Sequence, residues 1–343
     1  MPKRIPPAEP QKTIGFVAGG IGDQLYHFTQ LEHLAQTAAS GRVDLVCMHI
    51  RAMRELTSGC AWIDQIIDAR PFRHLAKPGQ FWRACSGLKA GGYDRAVIFH
   101  RSTSFKLAAS LAGIPHRAGL SSGMIDHCLL SDSIDLAGGG ARRSVWGHRP
   151  FIAALDQYFA PTGLSYSGPA PLQPVAEQVA VVQARYGDLP RPWTVVNLFV
   201  GDVLRRWPPA HAQNMIKAFH DRFGGTVFLN TGPDALELHD QLLSLWAGPP
   251  QALVNLLPDE APIPFMIALY HQADLYLGVD SFTANLALNC DLPAVILFNK
   301  ASDSLTYRGR SYPLAPAPDK LLDSLTEEDF HSVFSRFDKD RQT

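Results

Sequence analysis

The chain of 343 residues has almost no net charge: 31 Lys and Arg stand against 32 Asp and Glu, leaving −1. Whole-chain charge therefore gives no pull toward nucleic acid or an anionic bilayer. Long apolar runs are missing too. None reaches the ~20 residues that a membrane-crossing helix needs, and the opening MPKRIPPAEPQK has no signal-peptide core. Cysteine is sparse: Cys47, Cys60, Cys85, Cys128 and Cys290 are scattered, with no CxxC and no Cys/His cluster. That spacing excludes a disulfide framework or a zinc site as the organising device and predicts buried free thiols in a reducing, cytoplasmic setting. Expected partners exclude nucleic acid, no cofactor or metal is called for, and any membrane association is peripheral.

What remains is a globular composition, 46% hydrophobic and 18% charged, at a length that suits two domains. TIGFVA reads as a short buried strand, followed by helix-spaced apolar residues from Asp23 to Ala39 and a stop at Gly41. VDLVCMHI (43–50) and DRAVIFH (94–100) read as further strands. FKLAASLAG then predicts a helix closed by Gly113, and HRAGL another strand. Residues 161–192 are dense in proline and glycine, with a helical AEQVAVVQARY inside them, and predict an interdomain connection. From Trp193 a regular alternation resumes: WTVVNLFV, GTVFLN, QALVNLL, DLYLGV and PAVILFN as strands, separated by helical stretches. EEDFHSVFSRF (327–337) predicts a terminal helix able to pack on either half. Short, continuously apolar strands alternating with helices predict parallel α/β layers. The expected organisation is a first Rossmann-like domain at 13–160, a connection at 161–192, a second at 193–325, and a helical tail at 326–343, with the two domains facing a cleft. Open parallel sheets bind ligands at the carboxyl ends of their strands, so that is where chemistry is expected.

Three segments hold residues suited to chemistry. GGIGD (19–23) sits where a strand runs into a helix, and its glycines permit close backbone approach to a ligand. Asp23 there is either a helix cap or a catalytic carboxylate. LRRWPPAHAQNM (204–215) places Arg205 and Arg206 just before a proline-led helix. Adjacent guanidiniums can grip a diphosphate, or can be an ordinary solvated pair. In LYLGVDSFTANLALNCDLPAVILFN (275–299), Asp280 or Ser281 opens a helix whose free N–H groups face the strand ends. Asn285, one turn in, is either a polar contact or a solvent-facing residue.

In this order and spacing, the GxGD of 20–23, the basic-x-Trp-Pro of 205–208 and the Gly-x-Asp-Ser of 278–281 resemble glycosyltransferase family 9, the bacterial heptosyltransferases. YDRAVIFHRSTSFKLAASLAGIPHRAGL (93–120) is similar to that family's Tyr-Asp strand, small-residue helix and Arg-x-Gly strand. The resemblance runs over most of residues 14–300. It implies the GT-B architecture, with the acceptor held mainly by the first Rossmann-like domain and a nucleotide-diphosphate sugar by the second. It also implies an inverting, metal-independent transfer, ADP-heptose as donor, and a lipopolysaccharide-core, glycan or lipid-linked acceptor. The expected setting is the cytoplasm, with any membrane association peripheral at the inner face of the cytoplasmic membrane.

Carried over residue by residue, Asp23 is the general base, with Gly22, Arg101 and Lys106 on the acceptor side. Arg205 stands where the family usually has a phosphate-binding lysine, beside Arg206. Asp280, Ser281, Phe282 and Thr283 match the stretch that lines diphosphate and sugar. Asp234 matches an acidic ribose contact, and LLPDE (256–260) lies where the base would be touched. The chain also departs from the pattern. Phe282 replaces a glycine and Asn285 a histidine, while Val200 and Gly201 stand where Thr or Ser is common. Those departures leave open a different nucleotide sugar, a small-molecule or protein acceptor, or a non-catalytic nucleotide-sugar-binding protein.

Overall fold

A computed structural model describes residues 12–73, 75, 77–135, 149–198, 200, 205–232, 235–299, 310–317, 320 and 322–341. The chain divides into two compact units, Met1–Pro171 and Leu172–Thr343. The division falls inside the proline- and glycine-rich stretch.

In the first unit, strands β1 (Thr13–Phe16), β2 (Val43–Cys47), β3 (Ile63–Asp68), β4 (Arg95–Ile98), β5 (His116–Ser121) and β6 (Asp132–Asp135) form one sheet in the order β3-β2-β1-β4-β5-β6. Every pairing is parallel. This is the Rossmann order, in which successive strands extend one way from β1 and then restart on its other side at β4. The intervening helices are α1 (Ile21–Leu25), α2 (Phe28–Gln36), α3 (Ile50–Leu56), α4 (Arg70–Arg73), α5 (Pro78–Ala90), α6 (Thr103–Leu111), α7 (Met124–Leu129) and α8 (Arg149–Phe159). One core is built where Phe72 of α4, Phe81, Cys85 and Leu88 of α5, and Phe105, Ala108 and Ala109 of α6 meet Ile14, Phe16, Ala96 and Ile98 of the sheet.

The helix expected over 23–39 is two helices with a turn at Tyr26–His27. Every residue from Gln24 to Leu31 is buried, which no single-faced helix can achieve, so the chain bends to bury both turns. The strand expected over 43–50 stops at Cys47, because His49 takes the left-handed region (φ 55°) and starts α3. Four of the five thiols are buried and free as expected; Cys128 is exposed.

The second unit repeats the plan. After α9 (Ala176–Tyr186) come β7 (Trp193–Asn197), α10 (Pro209–Phe223), β8 (Thr226–Asn230), α11 (Leu236–Leu245), β9 (Leu253–Leu256), α12 (Ile263–Gln272), β10 (Leu275–Val279), α13 (Phe282–Asn289), β11 (Ala294–Leu297), β12 (Ser311–Leu314) and α14 (Glu327–Arg341). The sheet order is β12-β11-β10-β7-β8-β9, again all parallel. Among the described residues the chain thus holds two parallel six-stranded sheets with helices, two Rossmann-like units. Strands β7, β8, β10 and β11 are buried at every position, as their largely apolar sequences require.

The helix inside the expected connection and the terminal helix expected to pack on either half both belong to this second unit. Helix α9 packs on α12, where the Gln272 side-chain amide donates to the Val179 carbonyl and the Arg185 guanidinium lies 5.6 Å from the Phe265 ring. The terminal helix α14 inserts Phe330, Val333, Phe334 and Phe337 into the core, with Phe330 stacked on Trp207 and Phe334 edge-on to Phe219. Arg222 of α10 pairs with Asp338 at 2.8 Å. The tail is therefore part of the second core. Phe334→Ala should remove about 3–5 kcal/mol from that unit, read as a lowered urea midpoint. A change near zero would mean that α14 is not held by this cluster.

Candidate substrate sites at the strand-order reversals

In each sheet the order reverses between two adjacent strands, β1 and β4 in the first and β7 and β10 in the second. Connections leave such a pair in opposite directions, so a crevice opens at the carboxyl ends. The sequence-predicted residues with defined positions gather at these two places.

In the first unit β1 runs into Val17-Ala18-Gly19-Gly20 before α1. Gly19 has φ +112°, and a Cβ there would lie 2.8 Å from Asp23 Cβ and Oδ2. Only glycine lets Asp23 fold back onto this turn. The Gly20 N–H donates to Asp23 Oδ2 at 2.8 Å, half of a capping box that glycine cannot complete. Asp23 is therefore a cap in this structure, and it is half-buried at the strand end, with Gly22 beside it in α1. Gln24, which sequence reasoning missed, fastens the turn. It is fully buried, its Oε1 accepts from the Met48 N–H at 3.0 Å, and its amide reaches back to the Gly20 carbonyl at 3.4 Å.

Strand β4 supplies the other wall. His100 Nδ1 accepts from the Ser102 N–H at 3.0 Å, which leaves any ring proton on Nε2. Burial, joined by the positive charges of Arg73, Lys106 and Arg101, pushes the imidazole down to about 4, against the pull of Asp23. His100 is thus neutral at physiological pH. Arg101 is exposed, its guanidinium 5.6 Å from the Phe151 ring centre.

Lys106, expected at the acceptor, is placed differently. Its ammonium is fully buried and meets Asp126 Oδ2 at 2.6 Å and the Arg101 carbonyl at 3.2 Å. Asp126 also accepts from Thr103 Oγ1 (2.8 Å), the Ser122 N–H (2.8 Å) and Ser122 Oγ (2.6 Å). Burial works against the Asp126 carboxylate, yet the bonds from Lys106, Ser122 and Thr103 outweigh it and hold it below its usual range. Burial draws the Lys106 ammonium below the usual lysine range while Asp126 pulls it back. The pair clamps the β4–α6 and β5–α7 turns together beneath Arg101.

In the second unit Arg205 spans the reversal. It follows β7 in the chain, and its Nη1 donates to the Asp280 carbonyl at the end of β10 (2.9 Å), with Asp280 Oδ2 at 3.9 Å. Both side chains keep partial exposure, 35% and 27%. Arg206 Nε donates to the Val200 carbonyl at 2.7 Å, and Trp207 turns inward to the core.

Ser281 is the N-cap of α13 and accepts from the Ala284 N–H. Its hydroxyl also lies 2.8 Å from Thr283 Oγ1, which in turn lies 2.9 Å from the hydroxyl of buried Tyr276. Burial pushes the Tyr276 phenol up to about 12, so it stays protonated. The close fit explains Gly278, where a Cβ would come within 2.2 Å of the Tyr276 hydroxyl and 2.4 Å of the Asn197 carbonyl. Thr283 is therefore committed inside the turn, while Phe282 is half-buried.

Asn285 does not face solvent. It is 3% exposed, and its amide donates to the Ser281 carbonyl at 3.1 Å, bracing the first turn from within. Asn197, at the end of β7, is a second residue that sequence reasoning missed. Its Nδ2 bonds Asn230 at 3.2 Å, while its buried Oδ1 has no partner among the described residues. The LLPDE segment leaves the carboxyl end of β9 as a turn. Asp234 lies outside the described residues.

No protein-family model matches the sequence, and no curated protein sequence matches it either. Solved structures do match the fold. A glycosyl transferase family 9 protein from Veillonella parvula DSM 2008 aligns with TM-score 0.74 at 16% identity, covering 95% of this chain and 96% of that one. E. coli ADP-heptose lps heptosyltransferase II aligns with TM-score 0.71 at 18% identity, over 95% and 99%. E. coli heptosyltransferase WaaC with ADP-2-deoxy-2-fluoro heptose gives 0.66 at 16%, again over 95% and 99%. The chain thus has the GT-B fold of these proteins along nearly its whole length.

The buried pair gives a direct test of this geometry. Asp126→Asn strands the Lys106 ammonium and should cost about 3–5 kcal/mol, most of it restored by adding Lys106→Met. The Asp126 pKa is lowered on folding, so the pair's contribution is present at neutral pH and lost as pH falls through that lowered value. Denaturant unfolding should therefore show the gap between wild type and Asp126→Asn narrowing below about pH 4. Single-variant losses that simply add in the double variant would show the two charges to be uncoupled.

Proposed function

We propose that the chain is an inverting, metal-independent glycosyltransferase that moves a sugar from a nucleotide diphosphate to a hydroxyl of a glycan or lipid-linked acceptor. The carrying observation is the coincidence of a family 9 fold with Asp23 at the strand-order reversal of the first unit and Arg205 at that of the second.

In this reading the first unit holds the acceptor and Asp23 takes its proton. As the acceptor oxygen bonds the anomeric carbon, the bond from that carbon to the diphosphate oxygen breaks, and the nucleoside diphosphate leaves with the electron pair. The proton goes to the Asp23 carboxylate. The Gly20 N–H donates to Oδ2 and fixes the orientation of the carboxylate at the strand end. His100, neutral at physiological pH, follows β4 at the same strand ends, and exposed Arg101 offers a cation to an anionic acceptor.

On the donor side, Arg205 and the first N–H groups of α13 meet the charge that grows on the diphosphate, with Asp280 and Ser281 fixing the turn and Arg206 nearby. Arg205 is held by a carbonyl across the reversal, which presets its position. Asp234 and LLPDE are assigned to the nucleoside. ADP-heptose is the donor suggested by the fold relatives. Phe282, a half-buried aromatic in place of the family's glycine, favours a donor sugar of different shape. The site of action is proposed to be the cytoplasm, at the inner membrane face.

Asp23→Asn keeps the capping oxygen, so the turn should persist while proton acceptance is lost. The expected result is a folded, nucleotide-binding protein whose kcat falls ~10²–10⁴-fold, in assays of nucleoside diphosphate release with and without a chelator. Normal turnover in this variant would reduce Asp23 to a cap, and loss of wild-type activity on chelation would remove the metal-independent mechanism.

Arg205→Ala should weaken nucleoside diphosphate binding by ~1.5–3 kcal/mol in calorimetry, the scale of a lost charged hydrogen bond. Unchanged affinity would place the diphosphate elsewhere.

A further inference from the structure

The net charge of −1 conceals a division. Through Pro171 the chain carries 18 Lys and Arg against 12 Asp and Glu, net +6; from Leu172 onward it carries 13 against 20, net −7. The positive charge is concentrated further still. Between residues 69 and 125 there are nine Lys and Arg and one acid, Asp94.

Much of that charge lies on α4, α5 and the link between them. Arg73, Lys77, Arg83 and Lys89 are all exposed; Arg70 is exposed too, but it is paired with Asp68 at 2.6 Å. Helix α5 buries Phe81, Cys85 and Leu88 on one stripe. Its outer stripe carries Trp82 and, two turns on at i+7, Lys89. Trp82 is 55% exposed and Leu75, just before the helix, 54%.

The helix begins at the carboxyl-end rim of the sheet, the rim that carries Asp23 and Arg101. On the same rim Met124 and Ile125 open α7 with exposures of 82% and 69%. Large apolar side chains standing out among cations that outnumber the acids are the two features that hold a protein on an anionic interface. Tryptophan settles at headgroup depth, and lysine and arginine stems lie along the apolar layer while their charges stay wet.

We propose that this face, built on α4, α5 and the leading end of α7, docks on a membrane surface bearing anionic phospholipids. Charge complementarity selects the anionic leaflet, and the apolar tips select a bilayer over a dissolved polyanion, which has no layer for them to enter. Docking there would bring the acceptor-side rim to the membrane, where a lipid-linked acceptor resides. The surface belongs to the first unit alone, so its test needs neither donor nor acceptor and can fail independently of the glycosyltransferase reading.

The full chain is mixed with large vesicles of phosphatidylcholine, alone or with an equal part of phosphatidylglycerol, and sedimented at 0.1 and 0.5 M salt. Binding is expected only to the anionic vesicles, weakening at least ten-fold at the higher salt as screening shortens. Each basic residue at such a surface is worth roughly five-fold in partitioning. The variant Lys77→Glu/Arg83→Glu/Lys89→Glu should therefore lose roughly a hundred-fold or more. Trp82→Ala should lose roughly ten-fold by withdrawing its apolar area. All four positions are exposed, so unfolding temperatures should hardly move. Equal binding to both vesicle types, full binding by the triple variant, or heparin-bead binding that is as tight as vesicle binding and indifferent to Trp82→Ala would each overturn the proposal.

Discussion

Parallel pairing of β1 with β4, and of β7 with β10, is the constraint on which the functional reading rests. Because a parallel connection must cross back over its sheet, a strand restarting beside β1 rather than beyond β3 leaves two neighbouring strand ends with nothing laid between them. Everything polar at the two candidate sites is placed by that vacancy in the winding. Gly19 and Gln24 shape one edge, and Gly278 with the Ser281–Thr283–Tyr276 hydroxyls shape the other. The side chains that would meet substrate are held by backbone groups. Asp23 is fixed by the Gly20 N–H and Arg205 by the Asp280 carbonyl, so the backbone fold itself sets their positions.

The layered plan of the second unit was legible because its four central strands are buried at every position and so read as largely apolar runs. Residues 51–92 gave no such signal. Strand β3 is an edge strand whose Asp64, Gln65 and Asp68 interrupt its isoleucines, and α5 contains Gly79 and Gly87, which blur a helical pattern. That stretch carries the exposed Arg73, Lys77, Arg83 and Lys89 and a prominent Trp82. The positions of Asp23, Arg205 and Ser281 at strand ends were readable from glycine, proline and capping residues alone.

Partnerships were not readable. Lys106 looks like a helix-surface cation until Asp126, twenty residues on, is brought beneath it. Asn285 looked ambiguous at one turn into its helix, and only the packing of α13 shows that its amide is turned inward to the Ser281 carbonyl. Its place in the family pattern belongs to a histidine, and the asparagine performs an internal task. Long-range pairing of this kind has no local signature, because the cost of burying a charge or an amide is met by whichever element the topology happens to bring.

The opposite signs of the two units have a consequence for how copies of the molecule treat one another. A protein with a net charge near zero has no general repulsion to keep copies apart, and here each copy also carries regions of opposite sign. At low ionic strength the positive half of one molecule attracts the negative half of the next over a distance of roughly 30 Å at 0.01 M salt. Solutions of this chain should therefore cloud on desalting and clear when salt is added back, the reverse of the behaviour of a protein stabilised by uniform surface charge.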